Sequence, residues 1–283
     1  MRALILGAAL IVAGCASAPT PPPRPPVIDS VALSVDGVRL DPAGAIDPAL
    51  LREALVSYAR HYGTVREETR IFDLPGRRIS SDLRPIRRDV ISVVDFRIPA
   101  NRPRWFVIDL ASGDVTAFRV AHGRNSDAAG PMTPLPGRLA ATGGAVRASN
   151  LLDSNETAVG AYVAANQYED GFAPGSVRLH GLDPTNSCAY WRALVMHQAR
   201  YMTPYSGTGD FGNGDVGTSD GCLAVEVDDR PVVADYIRNG GFIYAGPLSL
   251  HKRSVADGLD SQAACEAVRL KPENGPQPVV PPS

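Results

Sequence analysis

The 283-residue sequence has little charge of either sign. Asp, Glu, Lys and Arg make up 20% of it, and 28 Lys+Arg stand against 30 Asp+Glu for a net charge of −2. A balance so near neutral offers no electrostatic footprint for nucleic acid, whose affinity rests on neutralised phosphates. The same scarcity excludes a coiled coil or a charge-rich disordered chain. Long apolar runs are missing too: Ala3–Ala13 has eleven residues, whereas a membrane-spanning helix takes about 20. No H-E-x-x-H, no CxxC and no internal repeat occurs, so no strong zinc or solenoid signature is present.

What the sequence does have is punctuation. There are 25 Pro and 27 Gly, beside an ordinary 44% of hydrophobic residues. This predicts one turn-rich, β-dominated α+β domain with flexible ends and no nucleic-acid partner. The divisions expected are a leader (1–14), a tether (15–26), an N-terminal helix with an irregular segment (27–89), a main domain (90–250) and a polar, Pro-rich tail (251–283).

A basic start, Met1-Arg2, precedes the short apolar run, which ends Val12-Ala13-Gly14-Cys15-Ala16-Ser17. That is a secretory leader, and its end resembles the lipobox of bacterial lipoproteins. The resemblance implies lipidation of Cys15 and a membrane anchor without a transmembrane helix. With no Asp at position 16, sorting rules point to the outer membrane and a periplasmic domain. The alternative is a plain leader with Cys15 incidental. Residues 18–26, APTPPPRPP, read as a polyproline tether reaching about 25–30 Å at roughly 3.1 Å per residue.

The remaining cysteines are Cys188, Cys222 and Cys265. In an oxidising compartment three is odd, so at least one thiol is free or paired elsewhere. The simplest partition joins Cys188 to Cys265 and leaves Cys222 free. Three independent thiols remain the alternative, since pairing cannot be read from sequence.

Residues 48–62 carry an apolar stripe at Leu51, Ala54, Leu55, Tyr58, Ala59 and Tyr62, with Asp47 as N-cap and Pro48 at the first position. This predicts a helix, with His61 solvated in its last turn. Residues 64–88 show poor periodicity and read as an irregular connection. Residues 104–110 and 115–121 alternate around Ala111-Ser112-Gly113-Asp114 and predict a β-hairpin. Further strands are expected at 90–98, 157–168, 176–180, 192–199, 222–227 and 241–248, and a short helix at 229–239.

Chemistry converges in the second half. Cys222 ends a glycine-rich loop, 203–221, and opens an apolar strand. A thiol there is held from one side and open from the other, and Gly221 lets a carbonyl approach. A thiol at its free pKa needs a base; His180 and His197, both on predicted strands, are the candidates.

The ordered set Val120-Ala121-His122-Gly123-Arg124, Arg178-Leu179-His180-Gly181-Leu182-Asp183, Arg192-Ala193-Leu194-Val195-Met196-His197 and Ser219-Asp220-Gly221-Cys222 resembles the L,D-transpeptidase (YkuD-type) catalytic domain family, in its murein branch. The likeness spans about residues 90–247 and departs in Gln198 for Gly, Asp220 for His, Leu223-Ala224 after the Cys, and a His-to-Cys gap of 25. It implies a mixed β-sheet sandwich or barrel with a few short helices and a long loop before the nucleophile. It implies a cysteine acyltransferase without cofactor or metal. The donor is a peptidoglycan tetrapeptide stem that loses its terminal D-Ala, and the acceptor is an amine. The implied roles are Cys222 as nucleophile, His197 as base, backbone N–H groups of Gly221 and Cys222 as oxyanion donors, and Ser219 orienting His197 or the loop. A backbone carbonyl is implied as the imidazole's orienter.

His180, Asp220 and Gln198 are expected to line the substrate site, His122 to shape a hairpin end, and Asp183 with Asn186 to form an Asx-type turn. A monomer is expected. Three competing readings remain open: a carboxypeptidase with water as acceptor, a zinc hydrolase on His180, Asp183 and His197 with Cys222 as an optional fourth ligand, and a non-catalytic peptidoglycan-binding lipoprotein.

Overall fold

Apolar strands with both faces covered form the centre of the molecule. The computed structural model describes residues 24–74, 77–127, 143–168, 174–203, 216–251 and 261–269. The expected leader, Cys15 and most of the tether lie outside them. Among the described residues, no helix is long and apolar enough to cross a membrane.

Three two-residue strands, β1 (Ile28–Asp29), β2 (Ser34–Val35) and β3 (Val38–Arg39), form a small sheet that leads to α1 (Pro48–His61). Asp47 caps α1 by accepting from Ala49 N–H at 2.7 Å, and Leu50, Leu51, Ala54, Leu55 and Tyr58 are its buried stripe. A hairpin follows, β4 (Glu68–Leu74) with β5 (Arg77–Leu83). This corrects the irregular connection expected at 64–88. Its residues are largely Arg, Ser, Thr and Asp, so the apolar alternation that marks a half-buried strand is missing.

The main sheet comprises β6 (Val90–Asp95), β7 (Trp105–Asp109), β8 (Val115–Phe118), β9 (Gly160–Tyr168), β10 (Ser176–Gly181), β11 (Val195–Gln198), β12 (Leu223–Val225) and β13 (Phe242–Gly246). Its order is β12-β11-β10-β9-β13-β6-β7-β8. It is mixed: β11–β12 and β13–β6 are parallel, the other neighbours antiparallel. Both faces of β6 are buried, as continuous apolar character requires. Ile91, Val93, Phe242 and Tyr244 pack toward α1. Val90, Val94 and Ile243 pack with Val233 and Ile237 of α2 (Arg230–Ile237) on the other face.

The chain from 251 onward is not wholly a loose tail. A helix, α3 (Gln262–Arg269), is fastened by the disulfide Cys188–Cys265. The pairing expected as the simplest partition is present, and Cys222 is free. Ala264 and Val268 of α3 pack around that disulfide together with Leu151 and Trp191.

Candidate active site

The register of one strand pair places the candidate groups. In β11–β12, Met196 stands opposite Leu223, His197 opposite Ala224 and Gln198 opposite Val225. Cys222 stands one residue before β12, next to the strand that carries His197, and its side chain packs against the cluster that holds Met196, Leu223 and Val225. It sits two steps from the partner of His197, about 6.6 Å of strand at ~3.3 Å per residue. A backbone hydrogen bond from Val195 to the half-buried thiol continues that register.

The His197 Nδ1 lies 2.8 Å from the Gln198 carbonyl oxygen. A carbonyl only accepts, so Nδ1 carries the proton and Nε2 keeps its lone pair. Burial pushes the His197 pKa below its ordinary value, against that bond and the Asp220 carboxylate. The imidazole is therefore neutral near pH 7, as a base must be. Burial pushes the Cys222 thiol up; the Val195 bond and the Arg178 and Arg192 cations pull it down, and Asp220 pushes it further up. The resting pair is thiol and neutral imidazole.

The loop carrying Cys222 is clamped where the main sheet's two edges meet. Beyond β8 the chain runs along β12: Ala121 N–H donates to Ala224 O at 2.8 Å, Ser219 N–H to His122 O at 2.9 Å and Arg124 N–H to Ser219 O at 2.7 Å. The sheet thus nearly closes on itself, with Cys222 at the seam. Ser219 Oγ donates to Cys222 O at 2.8 Å and accepts Gly221 N–H at 3.2 Å. Of the two roles expected for Ser219, the geometry fits holding the loop. The Gly221 N–H is correspondingly committed, which corrects its expected place among the oxyanion donors and leaves Cys222 N–H. Gly221 has φ +110°, and a Cβ there would lie 2.7 Å from Glu156 O, so glycine is required.

Behind the seam, Arg104 is fully buried and donates to Val120 O at 2.9 and 2.6 Å and to Ile98 O at 2.8 Å. The nitrogen that donates to Val120 O at 2.6 Å also lies 3.0 Å from His122 Nδ1. Burial pulls Arg104 down to about 9 and His122 to about 4. His122 is thus a neutral core residue whose carbonyl holds Ser219.

Several expected site residues are placed elsewhere. Gln198 alternates away from His197 along β11, and its Oε1 lies 3.4 Å from Arg230 Nε; its part in the site is its carbonyl. His180 is 1% exposed, its Nε2 is 2.7 Å from Ser81 Oγ, and its ring packs on Tyr190. Burial holds its pKa near 3. It lies two strands from β12, on the wall of a cavity of about 540 Å³ beside α1 and the β4–β5 hairpin, away from the thiol. Asp220 is at the rim, paired with Arg124 at 3.2 Å. His61 is not solvated: its Nε2 lies 2.9 Å from Asp183 Oδ1, a contact across 122 residues that local periodicity cannot foretell. Asp183 N–H donates to Asn186 Oδ1 at 3.0 Å, the expected Asx-type contact. With His180 on Ser81 and Asp183 on His61 and Ala161 N–H, the proposed zinc set does not converge. His251, expected in the solvated tail, is half-buried and bridged to Ala148.

The rim carboxylate generates a prediction. Because Asp220 raises the thiol pKa, Asp220→Asn should lower the pH midpoint of Cys222 alkylation by roughly 0.5, in a direction set by charge removal. A midpoint that stays or rises would show that this carboxylate does not act on the sulfur.

The sequence model of the L,D-transpeptidase catalytic domain matches residues 76–245. No curated protein matches the chain. Among solved structures, an L,D-transpeptidase from Mycobacterium smegmatis is similar at 16% identity, covering 64% of this chain and 67% of its own, with a TM-score of 0.33. L,D-transpeptidase 3 from Mycobacterium tuberculosis is similar at 15% identity, covering 67% of this chain and 84% of its own, with a TM-score of 0.31. The family match takes in more than half of the chain, including every strand of the main sheet and both candidate catalytic side chains, and by it the chain belongs to the L,D-transpeptidase catalytic-domain family.

Proposed function

We propose that this chain is a cysteine acyltransferase that remodels peptidoglycan through a thioester on Cys222. The observation that carries the reading is a free thiol two residues from the strand partner of an imidazole whose Nδ1 is held by a carbonyl. Cys222 Sγ attacks the carbonyl at the L-centre of the stem's diamino acid while His197 Nε2 takes the thiol proton. The Cys222 N–H donates to the oxyanion. His197 returns the proton to the departing D-Ala nitrogen, and the thioester forms. The amine of a second stem then attacks that thioester, His197 takes its proton, and the sulfur leaves and is reprotonated. The thioester keeps the acylating power of the broken amide, so no nucleotide is consumed.

In the full-length chain in detergent, a carbapenem should add once by intact mass, and Cys222→Ser should abolish the adduct. His197→Gln should slow acylation by about 10²–10⁴. The rate should fall on the acid side only below the ordinary histidine pKa of about 6.5, because a depressed pKa keeps the base unprotonated until then. EDTA should have no effect. An adduct surviving Cys222→Ser, or sensitivity to EDTA, contradicts the reading; no adduct and no stem turnover would favour a binding module.

We infer further that Cys15 is lipidated and that the tether holds the domain on the periplasmic side of the outer membrane. The support is the apolar leader ending in Gly14-Cys15 and the proline run after it. Radiolabelled palmitate should enter the wild-type chain, and Cys15→Ser should take up none and leave the membrane fraction. Equal labelling of both would rule the anchor out.

A further inference from the structure

Arg192 is a cation the mechanism above does not use. It precedes β11 and is half-buried, with one guanidinium nitrogen 2.7 Å from Ser149 O and the other on Glu156 O. Both are carbonyl oxygens, which take the donors but leave the positive charge unneutralised. The carboxylate of Glu156 itself lies 3.6 Å from Arg147, and Glu156 and Asp153 act on Arg192 at longer range. The second nitrogen lies 2.8 Å from where a Cβ on Gly221 would be, so the guanidinium packs directly on the residue before the nucleophile. A flat fork that grips two loop carbonyls and backs a glycine turn is a task for arginine more than lysine.

We propose that Arg192 is a positioning residue for Cys222: it fixes the turn at Gly221 and supplies the fixed positive charge beside which the thiolate forms. This rests on Cys222 being the nucleophile. The groups acting on the sulfur, besides Arg192, are Asp220 from the turn, the Val195 N–H from β11, Arg178 from β10, Tyr162 from β9 and Tyr201 after β11, with His197 on the adjoining strand. Asp220 opposes ionisation, and Arg178 and Arg192 favour it. Arg178 is spread over the Tyr168 and Tyr190 rings, at 5.9 and 5.7 Å, whereas Arg192 abuts the turn. The carboxylate that departs from the family pattern at position 220 is thereby offset from behind.

Iodoacetamide alkylation of Cys222, followed across the thiol pH range in the full-length, disulfide-bonded chain in detergent, tests this. Arg192→Met should react about tenfold more slowly at neutral pH, with its midpoint about one pH unit higher. Arg192→Lys, which keeps charge, should return most of that midpoint while remaining slower in carbapenem acylation, because the fork on Ser149 and Glu156 is lost. Should Arg192→Met not fold, Arg192→Gln takes its place with the same expected rise. A folded, charge-free variant with an unmoved midpoint overturns the proposal, as does a Lys variant whose midpoint rises as far as that of Met. A midpoint shift with no carbapenem adduct in the wild-type chain would sink the enzyme reading and leave the role of Arg192; an adduct with no shift would do the reverse.

Discussion

Everything at the site depends on the parallel register of β11 with β12. These two strands must pair with His197 beside Ala224 for the imidazole to stand next to the turn that carries the sulfur. A slip of one residue would send His197 to the apolar face, where Met196, Leu223 and Val225 pack. The register is pinned from three sides. Leu223 and Val225 are buried in the core, the chain after β8 hydrogen-bonds along β12, and Ser219 ties the turn to Cys222. A short edge strand of three residues would be weakly specified alone; closing the sheet's two edges on it removes that freedom.

Electrostatics then set the resting state. Desolvation is the largest influence on both groups and favours neutral forms, lowering His197 and raising Cys222. The pair rests without charge, and in the proposed reaction charge appears when a proton moves from sulfur to Nε2. An ion pair formed in a partly dry site costs less when a fixed cation lies beside the anion, and Arg178 and Arg192 stand there in advance.

Much of this was legible in the sequence. The helix at 48–61 showed itself by its stripe and caps, and the β7–β8 hairpin by alternation around a turn. Cys222 and His197 stood out through the order of four segments, and the Cys188–Cys265 pair, present in the structure, was the simpler of two partitions the sequence left open. Several of the misses trace to partners distant in the chain. The β4–β5 hairpin has polar residues where local alternation would be sought, and it is stabilised by pairing and by packing beside β9. α3 is tied down by a bond across 77 residues. His61 finds Asp183 only after the fold forms. Gln198 was misplaced for a local reason, since adjacent residues on a strand face opposite ways and only its carbonyl stays with His197.

The most direct measurement of the central claim is the nitrogen NMR spectrum of His197 at neutral pH, before and after methylation of the Cys222 sulfur. A neutral imidazole protonated on Nδ1, with an Nε2 resonance that shifts when the sulfur is capped, is the predicted result. An imidazolium, a proton on Nε2, or an Nε2 signal indifferent to the sulfur would contradict the account.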